Sequence, residues 1–455
     1  MQITSSYSVK IKDYSKVFTK TVDLYRGAVD FYIEVIMREW AAFSAITQQT
    51  RAVNLAEEFS VVTAGRKSVR YDFGKDFYKF PSYLRRSAIA EAYGKVKSCK
   101  SNLANWETVD WESRGKAPSA PKAGYAFPCL YRDNMYRTTD EPYTARIKVF
   151  IRNTWDWLTV RLKKSDVDYI MRHCFPVTDD GQAGALRSRR ICPPTLRRRG
   201  KEWFLDFPVE EKIALTDTQV MEQTIIAVDL GINSACTLSV MRSDGTVVGR
   251  EFLSLPAEKD SLEHAINRIK KAQQHGNHKV PRLWAKANGI NNRIAVLTAQ
   301  FIADKAVLYD ADVIVFEHLD RKGKLRGSKK QRLHLWRSRY VQAMTANKAH
   351  RLGIRVSHIC AWGTSKLAYD GSGTVLRGKD AGLRSYSVCK FASGKIYNCD
   401  LSASYNIGAR YFVREITKSL PETARLQLSA KVPGACKRST CTLSTLISLN
   451  AVLAA

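Results

Sequence analysis

Residues Thr224–Gly231, TIIAVDLG, form a short apolar run that ends in an acid and a glycine. Unbroken apolar and β-branched residues over this length read as a buried strand of a mixed sheet, with Asp229 near its end. The stretch that follows, INSACTLSVMRSDGTVVGREF, has two strand-like runs around Ser243-Asp244-Gly245, a hairpin signal. A helical stretch from about Ser261 to Tyr309 then leads to ADVIVFEHLD, another apolar strand, which carries Glu317 near its end. Finally, YNCDLSASYNIGARYFV places Asp400 at the start of a helix whose apolar positions Ala403, Ile407 and Tyr411 follow helical spacing.

An acid at the end of a hydrophobic strand costs desolvation unless it is paired or bound to a metal. Any one of the three, taken alone, reads as a strand-end carboxylate in solvent or at a helix cap. Asp229, Glu317 and Asp400 in this order, on a first strand, a fourth strand and a late helix, point to one shared site. Three antiparallel strands with an acid on the first are the opening of an RNase H-like fold. Carboxylates suit Mg²⁺, a hard ion that prefers oxygen ligands. Two such ions about 4 Å apart would clamp the attacking water and the leaving oxygen of a phosphodiester displacement.

The composition points the same way. Of 455 residues, 73 are Lys or Arg and 43 are Asp or Glu, a formal charge of +30 that excludes a generic small-metabolite enzyme as the default. Such an excess favours a polyanionic partner, nucleic acid first and an acidic membrane surface second. The N-terminus lacks the apolar core of a signal peptide, and no run reaches the roughly 18 apolar residues of a membrane span. Ten scattered cysteines without a CxxC pair fit reduced thiols, so a cytoplasmic protein with no membrane partner is expected. Two tracts are basic throughout. One holds Arg187, Arg189, Arg190, Arg197, Arg198, Arg199 and Lys201; the other runs from Arg321 to Arg339 and includes Lys322, Lys324, Arg326, Lys329, Lys330, Arg332 and Arg337. Both are candidate nucleic-acid contacts, a solvated charged loop being the alternative, and Trp336 and Tyr340 beside the second could stack on bases, although aromatics at helical spacing are more often core.

Upstream of residue 221, ITSSYSVKIK reads as a strand, helical patterns follow from Tyr14 to about Gln49 and from Ser82, and TARIKVFIR, WLTVRL and WFLDFPVE read as strands. With 45% hydrophobic residues the chain can fill two to four domains. The last 40 residues, ending TLSTLISLNAVLAA, read as either a docking helix or a frayed tail.

AVDLGINSACTLSV, VIVFEHLD and NCDLSASYNIGAR resemble the three split RuvC-like motifs of the TnpB proteins and of the compact type V CRISPR effectors, especially the miniature type V-F group. The resemblance covers about residues 224–412. It implies an α+β multidomain chain. Residues 1–15 and 130–220 would form a wedge β-barrel, 16–129 a helical recognition insertion, 221–360 and 396–415 the RuvC-like RNase H-like nuclease domain, 361–395 a small inserted module, and 416–455 a C-terminal tail. It makes Asp229, Glu317 and Asp400 the catalytic metal-binding triad for two Mg²⁺ ions, with Mn²⁺ as an alternative, and Arg384 a contact to the scissile phosphate. Guide RNA and target DNA with an adjacent motif become the expected partners, the protein acting as a monomer or as a homodimer on one guide.

One departure stands out. The family's inserted module usually holds CxxC…CxxC zinc ligands. This sequence keeps Thr364, Ser365, Arg384 and Tyr386, but has Ala368 and Gly371, then Val388 and Phe391, at the cysteine positions, with Cys389 out of register. Zinc is therefore not expected, and the module must rely on packing or strand pairing. The implied function is an RNA-guided, Mg²⁺-dependent DNA endonuclease. Its rivals are a guide-dependent DNA binder that represses or recruits without cutting, and a nuclease that chiefly processes its own guide RNA.

Overall fold

The structure is a computed structural model and describes residues 1–13, 16–112, 114–131, 133–174, 189–231, 234–319, 337–435 and 439–454. These divide into two compact units, Gln2–Lys212 and Met1 with Ile213–Ala455.

The strands of the first unit are β1 (Gln2–Ile11), β2 (Tyr136–Thr138), β3 (Thr144–Ile151), β4 (Thr154–Arg161), β5 (Arg189–Ile191), β6 (Thr195–Arg199) and β7 (Glu202–Lys212). Strand β7 pairs with β1 on one edge and with β5 and β6 on the other, while β2, β3 and β4 make a separate antiparallel sheet. Among the described residues these strands do not close into a barrel, which corrects the barrel expectation. A lone bridge between Ile11 and Leu162 links the sheets, and alternation along β3 and β4 fixes the buried face without fixing which strands become neighbours. The longest helices of the unit are Lys16–Arg38, Gln49–Ser60 and Ser82–Glu107, with Lys164–Cys174 after β4. The first buries Phe18, Val22, Tyr25, Val29, Tyr32 and Ile36, a three- and four-residue spacing that lays one apolar face on the core.

In the second unit, β8 (Thr224–Asp229), β9 (Cys236–Arg242), β10 (Val247–Leu253), β11 (Val313–His318) and β12 (Arg355–Cys360) form one sheet in the order β10-β9-β8-β11-β12. The first three pair antiparallel, and β11 runs parallel to both β8 and β12. Alternate residues serve opposite faces, as the pleat requires. Ile225, Ala227, Val313 and Val315 pack with helices Cys399–Ser419 and Leu443–Ala454. Ile226, Val228, Ile314 and Phe316 pack with Pro281–Leu308 and Ser338–Arg351. The helical stretch expected over Ser261–Tyr309 consists of two helices, Pro256–Gln274 and Pro281–Leu308, separated where Gly276 adopts positive φ and Pro281 opens the second.

Helix Cys399–Ser419 is buried almost all round and lies close on the sheet at Gly408. A Cβ there would fall inside contact distance of Met241 Sδ and 3.2 Å from Ala227 Cβ. The tail is docked: Leu443, Leu446 and Leu449 join the same core. Buried Arg410 ties it down, donating to the carbonyls of Ser439 and Cys441 as well as to those of Cys360 and Trp362, at 2.8–3.1 Å.

Before that helix, β13 (Leu376–Arg377), β14 (Val388–Lys390) and β15 (Ile396–Asn398) form a small antiparallel sheet. Ala368, Val375, Cys389, Phe391 and Cys399 make its apolar core, and Tyr369 meets Phe391, Tyr397 and Tyr405 edge-on at 5.1–5.5 Å. Two of the positions where the family would place cysteines, Ala368 and Phe391, are thus packing residues.

Candidate functional site

Asp229 continues the parity of Ile225 and Ala227, and Glu317 that of Val313 and Val315, so both acids belong to the sheet face covered by helix Cys399–Ser419. The β8–β11 register pairs Val228 with Phe316, which sets Asp229 beside Glu317 one step further on. Asp400 enters from the first turn of the covering helix, whose start is capped by the Asn398 side chain accepting from Leu401 N at 2.9 Å. Two parallel strands and one helix N-terminus thereby bring together the three acids that the sequence nominated.

Their electrostatics are those of a shared, partly dry space. Burial, and then the facing charges of Glu317 and Asp400, raise Asp229 well above the ordinary carboxylate range. Burial also raises Glu317, opposed by the Thr364 hydroxyl that donates to its carboxylate and by the charge of Arg410. Asp400 is raised by burial against the pull of Arg377, the Ser234 hydroxyl and Lys259. Around Glu317 the loop is braced twice: Gln342 donates to its backbone carbonyl at 2.8 Å, and Asn406 donates to the carbonyls of Thr364 and Leu367 at 3.0 and 2.9 Å.

The donor set suits a hard cation, because it offers carboxylate oxygens whose mutual repulsion a cation would relieve. A buried hydroxyl without a partner strengthens the fit: Thr237, opposite Asp229 in the β8–β9 register. Among the described residues no three His, Cys, Asp or Glu side chains are gathered into a ready ligand shell.

Arg384 is exposed in a bend, whereas Arg377 of β13 acts electrostatically on both Asp229 and Asp400. Its guanidinium donates to the carbonyl of Ser365, next to Thr364. Arg377, Thr364, Asn406, Ser234 and Lys259 are the residues that sequence reasoning passed over as parts of the site. Only Thr364 carried a signal, as half of the Thr-Ser pair.

The first basic tract is largely satisfied within its own sheet. Arg189 pairs with Glu211, and Arg197 and Arg199 share Asp206, acids supplied by β7. Arg198 donates to Gly200 O at 3.0 Å, while Arg190 and Lys201 are exposed. Arg189, Arg197 and Arg199 are therefore strand residues with cross-strand acidic partners rather than parts of a loop of uncompensated charge. In the second tract, Arg337 donates to Asn288 and Asn292 of helix Pro281–Leu308. Lys322, Lys324, Arg326, Lys329, Lys330 and Arg332, like Arg187 and Trp336, lie outside the described residues. No helix among the described residues is long and apolar enough to cross a membrane.

Comparison with known proteins adds a lineage. The profile of the Aq_aa04 family matches residues 5–151. The protein aq_aa04 of Aquifex aeolicus (strain VF5) is 30% identical over 157 residues, spanning 30% of this chain and 87% of that protein. The TnpB-like protein aq_aa05 of the same organism is 26% identical over 247 residues, spanning 49% of this chain and 76% of that protein. Among solved structures, a Cas12f1–sgRNA–target DNA complex aligns at 14% identity with a TM-score of 0.34, covering 89% of this chain and 98% of that one. The chain belongs to the Aq_aa04 family, and over about half of its length it is similar to a TnpB-like protein.

Proposed function

We propose that this chain is an RNA-guided DNA endonuclease with a single RuvC-like site of RNase H-like fold. The observation that carries the reading is the convergence of Asp229, Glu317 and Asp400 on one sheet face, each raised in pKa by burial and Asp229 also by its acidic neighbours. The excess positive charge and the TnpB-like relative support a nucleic-acid substrate.

Asp229, Glu317 and Asp400 would hold Mg²⁺, which when bound supplies Lewis-acid stabilisation of the attacking and leaving oxygens. The chain's own residues do the rest. Thr364 fixes the rotamer of Glu317, Ser234 orients Asp400, and Arg377 offsets the acids' charge where a phosphate would approach. Base pairing with a guide supplies target choice, as in guided effectors generally, while the protein grips backbone.

The test is to purify the chain with RNA expressed from its own locus and incubate it with Mg²⁺ and matching duplex DNA. Discrete cuts that vanish in Asp229→Ala, with target binding retained, are expected. Binding without cuts in the wild type would overturn the nuclease reading in favour of a guided binder.

A further inference from the structure

The face of the β2–β3–β4 sheet turned to solvent is built unlike the other. Ala145, Ile147, Val149 and Val160 are buried on the inner face. The outer face carries Arg146, Lys148, Trp157 and Thr159, with Arg137 directly opposite Arg146 and Lys148 directly opposite Trp157. Three cations converge on one half-exposed indole: Arg137 Cζ lies 4.5 Å from the Trp157 ring centroid, Arg146 Cζ 5.8 Å and Lys148 Nζ 5.9 Å. Further along the same face, Lys20 Nζ sits 4.9 Å from the ring of Phe150.

Contact with the indole stabilises each cation in part but leaves their mutual repulsion in place. Like charges directly opposite one another on a sheet repel. Among the described residues no carboxylate pairs with Arg137, Arg146 or Lys148, in contrast to Arg161 on the same face, which is held by Asp13. An anion that shares the three cations would remove the repulsion, and the indole with the Arg137 guanidinium gives it a flat π surface as well. Phosphates beside an aromatic platform are what a single strand needs, because its bases are free to stack while its backbone tracks the charge. A duplex keeps its base faces covered, and an acidic peptide would leave the indole unused.

We propose that the outer face of β2–β3–β4 is a binding site for single-stranded RNA, with a base stacked on the platform of Trp157 and the Arg137 guanidinium and the flanking phosphates on Arg146 and Lys148. The strip from residue 146 to residue 150 is roughly 13 Å long, which suits a short unpaired segment. The choice of RNA over single-stranded DNA rests on the proposed function, in which the strand carried by the resting protein is the guide.

The test measures binding of a fluorescent oligouridylate carrying one 4-thiouridine to the full chain in EDTA over a salt series. Trp157→Ala is expected to weaken binding about 5- to 150-fold, the range seen for loss of one stacked base, while Trp157→Phe keeps most of the affinity and guards against misfolding. Arg146→Ala with Lys148→Ala should flatten the slope of log affinity against log salt by about 1.4, or about 0.7 for each lost phosphate contact. Crosslinks should map to the peptide containing Trp157. Unchanged affinity and slope in these variants, or crosslinks confined to other peptides, would overturn the site. Tighter binding of an oligothymidylate of equal length through the same residues would overturn the assignment to RNA. The binding readout, taken in EDTA and without target DNA, is separate from the nuclease reading: failure of the chain to cut DNA would leave the oligouridylate result as it is.

Discussion

The Thr364 hydroxyl donates to the Glu317 carboxylate, while the carbonyl of the same threonine is held by Asn406 of the helix that carries Asp400. One residue thus joins two of the three acids. The donation favours the ionised form of Glu317, so its loss raises the pKa of that acid further. In Thr364→Val, Mg²⁺-dependent cleavage should fall about 10- to 100-fold near neutral pH, the usual scale for losing a residue that orients a metal ligand. The acidic limb of the rate–pH profile should move upward, and Thr364→Ser should restore it. A uniform loss of rate with no movement of that limb would assign Thr364 a purely structural role.

Asp229 gives a stability prediction with a definite sign. Its pKa is raised in the folded chain, so the wild type gains stability as pH falls through the folded value and loses it as pH rises. Asp229→Asn, which lacks the buried charge, should therefore melt higher than the wild type at neutral pH without metal. Each 1 kcal/mol corresponds to about 2–4 °C for a unit of this size. The difference should vanish below the ordinary carboxylate range, where both forms are neutral. Added Mg²⁺ should raise the wild-type melting temperature and leave the variant nearly unmoved, which calorimetry with and without EDTA would read directly.

Arg377 and Arg384 are separable. Only Arg377 acts on Asp229 and Asp400, so Arg377→Ala should reduce cleavage by at least about tenfold and raise the apparent pKa of the acid limb. Arg384→Ala, at an exposed bend, should leave that limb in place. The opposite pattern would restore the assignment read from the Arg-x-aromatic step.

Gly408 sets the distance between sheet and helix. Gly408→Ala should cost about 1–3 kcal/mol by forcing Met241 aside. Met241→Ala removes the sulfur that is in the way, so the double variant should recover part of that loss, and a thermodynamic cycle from denaturant melts would show coupling between the two positions. Strict additivity would mean that the contact is not what fixes the helix.

The acids were legible because each sits where a strong hydrophobic pattern stops: TIIAV before Asp229, VIVF before Glu317, and a helical repeat after Asp400. What was not legible came from pairing at a distance. The partners of Arg197 and Arg199 lie on another strand, so a tract without acids in sequence still meets Asp206 in space. Arg377 owes its position to a two-residue strand paired with β14, too short to leave a pattern. The break in the long helical stretch fell in polar residues that a helix surface also tolerates, and only Gly276 and Pro281 marked it.

The tie between Arg410 and the tail gives the acid cluster an order of assembly. Asp229, Glu317 and all five strands of their sheet come earlier in the chain, but the helix that brings Asp400 rests on Leu443, Leu446 and Leu449, and its arginine donates to Ser439 and Cys441. A growing chain still lacking those residues has an arginine short of two acceptors and an open seam beneath the covering helix. Residues 439–449 follow all three acids in the chain, so a nascent product that ends before them carries the acids without the segment that seals the covering helix.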